Sequence, residues 1–378
     1  MAQNETFNPL GPTAPPPPPP PQLAPVPPAP PMAAAPPWWM QPPRRSGWLG
    51  RVARSLAVLI FVLSIVLNMY LLILISADFG RGFEVITLET GEADQTVALY
   101  SLEGILDEQV GGQFAGFVGQ VQDDTDVKAV VLRVTSPGGG VSTSDQIHQL
   151  VERLKTAGKT VVVSMGGVAA SGGYYVSAPA DEIIAEPTTV TGSIGVMMGW
   201  LVVKGTLEKI GMETVIMKST NAQGWKDEMS SFQKPDDRQR EHLQEILDQV
   251  QARFEQVVRD GRGDRLRLRP AAYTVTIPDS DPPEEIRIRE TEPFNGKIYL
   301  PDEAKALGLI DSIGYQSAAI ERAKMLAGLR EPKVVRYKPR KGLLKELLTA
   351  KSAATLGLNA ALLDELQTPR LMMIWKAQ

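Results

Sequence analysis

The chain has no cysteine and only two histidines, His148 and His242, among its 378 residues. Without thiols it can form no disulfide, no thiolate zinc site and no cysteine nucleophile. A three-histidine metal site is excluded by count, and a serine–histidine mechanism has two candidate bases. His148 falls mid-helix beside an apolar stripe and His242 in a charged helical stretch, so both read as surface residues rather than triad members. An excess of positive charge is lacking too. The net charge is −4, which gives no electrostatic case for nucleic acid. The phosphate-loop ending Gly-Lys-Ser/Thr and the dinucleotide spacing GxGxxG are both missing. What is present is core-forming material: 43% of residues are hydrophobic, enough for two domains at most once non-globular parts are removed.

Those parts come first. Residues 1–43 form a proline-rich tail, "NPLGPTAPPPPPPPQLAPVPPAPPMAAAPPWWMQPP" from residue 8, where proline withholds the amide donors of helix and sheet. A solvated, disordered or polyproline spacer is expected. Residues 55–77 then carry no charge, and Asn68 is the one strongly polar side chain. An apolar run of about 20 residues spans a bilayer core, and this one is too long and too far in for a cleavable signal peptide. Arg44, Arg45, Arg51 and Arg54 precede it, which places the tail in the cytoplasm and residues 78–378 outside. A single-pass anchor is expected.

From residue 95 the pattern alternates. "TVALYSLEG", "VKAVVLRVTSPGGG", "TVVVSM" and "DEIIAEP" read as strands, and "LEKIGMETVIM" as a helix end running into a fifth. Between them, "VSTSDQIHQLVERLKTAGK" is an amphipathic helix that Ser142 or Ser144 would cap. Strands alternating with helices imply an α/β fold with a mostly parallel sheet. Residues 236–260 make a long polar helix with one apolar face. Residues 264–292 break the rhythm and read as an inserted hairpin or arm, and the "GRGDR" at its edge is discounted as chance. Residues 95–328 form the main domain, and 329–378 a C-terminal extension.

In open α/β sheets, ligands gather at the carboxyl ends of strands. Two glycine-rich stretches fall there, "TSPGGG" and "GGVAASGG". Their glycines let a ligand approach the main chain. If Ser171 opens a helix, its hydroxyl lies among free N–H groups, the arrangement an acyl-transfer enzyme uses for a tetrahedral oxyanion. Residue 169 is alanine, so the GxSxG elbow is absent. A plain N-cap serine with close-packing glycines fits the same stretch. A serine nucleophile needs a base, and a lysine serves where a dry pocket depresses its pKa. Lys226 stands out in "NAQGWKDEMSSF", between Trp225 and Met229 after a turn-like segment. Tyr174 and Tyr175 read as packing on the helix. Met197, Met198, Trp200 and Leu201 read either as core strand or as an apolar substrate groove.

Taken together and in order, "VTSPGG", "VAASGGYYVSAPADEI", "TVTGSIGV" and "KDEMSS" resemble the signal peptide peptidase A family of membrane-bound serine peptidases. The resemblance covers about residues 95–328 and implies the fold shared by Clp protease and crotonase. It implies a Ser-Lys dyad of Ser171 and Lys226, with oxyanion donors from Gly172 and from Gly138 or Gly139. It implies that Ser193 orients the lysine. Glu228 and Ser231 depart from the family pattern around the lysine, and the 264–292 insertion departs from short members. Neither metal nor cofactor is implied, and the membrane implied for the anchor is a bacterial inner membrane. The substrates implied are hydrophobic peptides such as signal-peptide remnants. In longer relatives the serine and lysine come from different copies of the fold, so a single-copy chain is expected to form a homo-oligomeric ring. The rival reading is a non-catalytic membrane scaffold on the same fold. Crotonase-type acyl-CoA chemistry fits poorly with an export-facing domain.

Overall fold

A computed structural model describes residues 47–78, 82–277, 284–340 and 370–374. The proline-rich tail and most of the 329–378 extension lie outside the described residues. The chain divides into two units, Met1–Met69 and Tyr70–Gln378. In the first, the described structure is a helix, α1 (Trp48–Asp78), which continues past the boundary. Its stretch Gly50–Leu72 is long and apolar enough to cross a membrane and has none of its residues buried. No polar face interrupts it, because Asn68 turns its amide back onto the Ser64 carbonyl at 2.7 Å.

The second unit opens with β1 (Phe83–Glu89), β2 (Glu92–Glu103), α2 (Glu108–Val121), β3 (Val127–Ser136) and β4 (Gly138–Gly140). Next come α3 (Val141–Thr156), β5 (Thr160–Ala170), α4 (Gly172–Ser177), β6 (Glu182–Ala185), β7 (Val190–Gly192), β8 (Met197–Gly199) and α5 (Lys204–Lys209). α6 (Asp237–Arg262), β9 (Arg269–Ile277), β10 (Glu284–Glu292), β11 (Ile298–Tyr299), α7 (Pro301–Ala306) and β12 (Ser312–Ile313) follow. α8 (Gln316–Leu326), β13 (Pro332–Pro339) and β14 (Arg370–Ile374) complete the order.

The main sheet runs β1-β13-β2-β3-β5-β6-β12, and β7 and β11 continue from β5. Only β1·β13 and β7·β11 pair antiparallel; the other pairs are parallel. The expected α/β fold with a mostly parallel sheet is therefore what the chain adopts. Its central strands are buried on both faces, which is why "VKAVVLRV" and "TVVVSM" read as almost continuous apolar runs. Successive side chains point to opposite faces. Ala98, Tyr100 and Leu102 join Phe114 and Phe117 of α2 in the larger core. Val97 and Leu99 join Ala319, Ile320 and Ala323 of α8 in the smaller one.

α6 starts with a capping box, Asp236 accepting from the Gln239 N–H while the Gln239 side chain accepts from the Asp236 N–H. Near its other end Arg262, fully buried, forks onto Asp311 at 2.7 and 3.1 Å and donates to the Gly308 carbonyl at 2.8 Å. β9 and β10 pair antiparallel over nine residues each, the hairpin expected within 264–292.

Two local expectations are corrected. α3 begins at Val141 with Gly140 as N-cap and no side-chain cap bond, because its first N–H groups follow β4 without a break. The fifth strand expected after "LEKIGME" does not form: beyond α5, residues 213–217 make no ladder, and Val215 and Met217 are 79% and 92% exposed. Apolar side chains without a sheet edge to join do not make a strand.

Candidate active site

β5 ends at Ala170 and α4 begins at Gly172, so Ser171 alone makes the turn. Its backbone stands at φ 54° and ψ −119°. For a residue with a side chain such a conformation costs about 1–3 kcal/mol. It is pinned on both sides: the Ser171 N–H donates to the Gly192 carbonyl at 2.8 Å, and its carbonyl accepts from the Tyr175 N–H at 2.9 Å. The residue is 1% exposed and its Oγ has no hydrogen-bond partner within the chain. It occupies the N-cap position of α4, but its side chain makes no cap bond. Strain and an idle buried hydroxyl thus coincide at one residue, and neither helps the fold.

Glycines surround it for a steric reason. A Cβ at Gly173 would stand 2.6 Å from the Ser136 carbonyl oxygen, and one at Gly139 would overlap the Leu106 backbone. β3 and β5 are in register with Ser136 opposite Ala169, so the start of β4 lies beside the Ser171 turn. Gly172, first residue of α4, has an N–H with no intrahelical acceptor. The Gly138 N–H is already engaged, donating to Ser136 Oγ at 3.1 Å, while Ser136 Oγ donates to the Gly104 carbonyl at 2.6 Å. The Gly138 carbonyl and Gly140 N–H are both spent on Leu106, at 2.9 and 3.1 Å. Gly139 therefore turns its own N–H and carbonyl the other way. Sequence reasoning did not single out Ser136, although "TSPGGG" contains it.

Ser193 follows Gly192 directly and is buried, its N–H donating to the Lys297 carbonyl at 2.8 Å. Its φ is 50°, and among the described residues Ser171 and Ser193 are the two non-glycine residues with positive φ. The fold brings these two serines together across the Gly192 carbonyl.

Lys226 makes no hydrogen bond to Ser171, whose Oγ has no partner. Lys226 is exposed on a turn after α5, its N–H donating to the Ala222 carbonyl at 3.2 Å. The next residue, Asp227, is the anchor of that turn: it is buried and accepts from Lys218 at 2.8 Å, from Gln239 at 3.2 Å and from Gln233. The hydrogen bond from Lys218 holds the Asp227 carboxyl below the usual carboxylate range. Trp225 packs between Arg238, 4.3 Å over its ring, and His242, edge-on at 5.3 Å. The turn is fixed while its lysine is presented to solvent.

The remaining expectations sort cleanly. Tyr174 and Tyr175 are fully buried, donating to the Leu309 carbonyl and to Asp145 at 2.9 and 2.6 Å, so they pack rather than touch substrate. Burial pushes both hydroxyls up, out of range for acid–base work. His148 is buried against the Tyr175 ring instead of lying on the surface, because α4 covers that face of α3. His242 is exposed as expected. Met197 and Leu201 are each about half exposed, which rules out the core-strand reading of that run.

Residues 153–273 match the description of peptidase family S49. The chain is 32% identical over 263 residues to a signal peptide peptidase SppA from Enterococcus faecium, covering 67% of this chain and 70% of that one. The chain belongs to peptidase family S49. It is a serine protease of that family, with relatives named signal peptide peptidase and protease 4. Protease 4 of Haemophilus influenzae is 31% identical over 260 residues, 66% of this S49 chain but 37% of that protein. Among solved structures, a membrane-bound stomatin-specific protease with a substrate peptide aligns with 69% of this chain and all of its own, at 13% identity and a TM-score of 0.35.

Proposed function

We propose that this S49 chain is a membrane-anchored serine endopeptidase that cuts hydrophobic peptides such as signal-peptide remnants, with Ser171 as nucleophile and Lys226 of a neighbouring copy as base. The observation that carries the reading is the strained, buried Ser171 with an unpartnered hydroxyl beside the first N–H of α4, that of Gly172. In the acylation step Ser171 Oγ attacks the peptide carbonyl carbon and gives its proton to the lysine amine. The carbonyl oxygen takes the negative charge and accepts hydrogen bonds from the N–H groups of Gly172 and of Gly139, the Gly138 N–H being engaged on Ser136 Oγ. Collapse breaks the C–N bond, the lysine returns the proton to the leaving amine, and water later hydrolyses the ester by the same route. Ser193, which follows the Gly192 carbonyl that accepts from Ser171, would orient the incoming lysine.

A second copy as the lysine's donor is supported by the segment that carries it. Leu201, Ile210, Met212, Val215, Met217 and Phe232 are all exposed in a single chain. Exposed apolar side chains in this number suit a surface that another chain covers. A ring of copies would also give the dry, concave site in which a lysine can lose its proton. α1 would tether each copy with the proline-rich tail in the cytoplasm and the protease outside.

The test is labelling with a fluorophosphonate, followed by mapping of the adduct. A single adduct on Ser171, absent from the Ser171→Ala chain, is expected; an adduct on another serine would refute the assignment.

A further inference from the structure

The hairpin of β9 and β10 is a two-stranded sheet whose outer edges are unpaired among the described residues. Tyr273 pairs with Ile288 and Val275 with Ile286, so these four side chains share one face. Thr274, Arg287 and Arg289 belong to the other. On the apolar face Tyr273, Val275 and Ile286 are all exposed. Two strands alone are marginal in water, whereas three that share an apolar face can be stable.

The base of this arm is anchored beside the candidate nucleophile. Arg269 and Glu292, the last pair of the hairpin, bond at 3.2 Å, and Lys297 joins Glu292 at 3.0 Å. Both cations also reach Glu303, at 3.5 and 3.0 Å. The Lys297 carbonyl is the acceptor of the Ser193 N–H. The arm therefore springs from the segment that holds Ser193, and its nine-residue strands make it about 30 Å long.

The same chain holds a strand-like segment without a sheet. Residues 213–217, "ETVIM", include three β-branched side chains in a row, yet their main-chain N–H and carbonyl groups make no hydrogen bond among the described residues. Val215 and Met217, two residues apart, would share one face of a strand. Lys218 follows directly, and its ammonium is bonded at 2.8 Å to Asp227, the residue after Lys226. The end of the segment is thus fastened to the turn that carries Lys226.

We propose that residues 213–217 of one copy add as a third strand to the free edge of β9 in a neighbouring copy, Val215 and Met217 extending the apolar face of Tyr273 and Val275. The proposal rests on reading Lys226 of a second copy as the base, and it supplies the contact that delivers that lysine. The lysine sets the direction. With Met217 at the arm's base, the bond between Lys218 and Asp227 brings Lys226 towards Ser193 of the neighbour. In that sense the segment runs antiparallel to β9 and parallel to β10. Antiparallel pairing is the more stable per residue, which selects the β9 edge.

The test uses two full-length chains with different tags, one Val275→Cys and the other Val215→Cys, in a sequence with no other cysteine. They are mixed, reassembled and treated with a bismaleimide reaching about 8 Å, the diagonal distance between adjacent strands, so that an offset of one pair is tolerated. A crosslink between the two tags is expected. Crosslinks only among Val275→Cys chains, which would mean arm against arm, overturn the proposal, as does the absence of any crosslink. Activity gives an independent reading. Val275→Lys and Val215→Glu, each placing a charge on the shared apolar face, should each lower kcat for an apolar fluorogenic peptide about 5- to 10-fold. KM should stay unchanged, because the peptide's own contacts are untouched. In the chain that carries both substitutions the opposite charges pair across the strands, and most of the lost kcat should return. Unchanged kcat in both single variants overturns the proposal, as does a double variant as slow as the single ones. If the two tags crosslink and no chain hydrolyses any peptide, the arm contact stands and the serine–lysine reading fails.

Discussion

At Ser171 two costs meet that a residue chosen for stability would avoid, a left-handed backbone and a buried hydroxyl without a partner. This separates two substitutions. Ser171→Ala should abolish peptide hydrolysis and leave the thermal midpoint almost unchanged, since alanine keeps the strained φ. Ser171→Gly should be equally inactive but more stable by about 1 kcal/mol, read by thermal unfolding, because glycine adopts φ > 0 freely. Gly173→Ala should lower both stability and activity, since its Cβ would press on the Ser136 carbonyl that β4 follows. The sequence displays the bare serine and its glycines, and resemblance names the lysine. The sequence conceals the strain, because φ depends on the Gly192 carbonyl, 21 residues further along, accepting from the Ser171 N–H. It also conceals that His148 is covered, since one-helix periodicity cannot say which neighbour packs on a face.

Among elements, α6 is tied to the sheet through Arg262 and Asp311. Arg262→Ala would leave a carboxylate that also accepts from the Ile183 N–H at 2.7 Å without its main counter-charge. A loss of about 3–5 kcal/mol in denaturant unfolding is expected, the usual cost of halving a buried ion pair. Acid stability follows from the same contacts. Burial acts to raise the Asp311 carboxyl, but the hydrogen bonds and charge of Arg262 outweigh it and hold the group below its ordinary value of 3.8. Burial also depresses His148 below its ordinary 6.5. Both groups bind protons more readily when unfolded, so stability should fall as pH drops, first from about 6.5 through His148 and again below about 4 through Asp311. His148→Phe should flatten the first decline in a series of thermal unfolding curves and leave the second. Neither feature was legible from "GRGDR" or "LIDSIG", because a buried pair between residues 49 apart leaves no periodic mark. The strands were legible, since double burial writes itself as an apolar run. β14 was not, since its five residues pair with two three-residue strands rather than with the main sheet.

For the whole molecule, Ser171 Oγ is buried with no hydrogen-bond partner in the single chain, and Lys226 stands exposed on its turn. The proposed anchoring through α1 is tested in intact spheroplasts: protease added outside should digest the unit that carries Ser171 and spare the proline-rich tail, and digestion of the tail would reverse the orientation. The central claim is that the site is completed by a second copy, and mixing tests it most directly. Ser171→Ala and Lys226→Ala chains, each inactive alone, are dissociated, mixed and reassembled, with assembly followed by light scattering and activity by hydrolysis of an apolar fluorogenic peptide. Partial activity should return, because some adjacent copies then combine an intact serine with an intact lysine. Full reassembly with no activity would contradict the account and place both groups of the dyad within one chain.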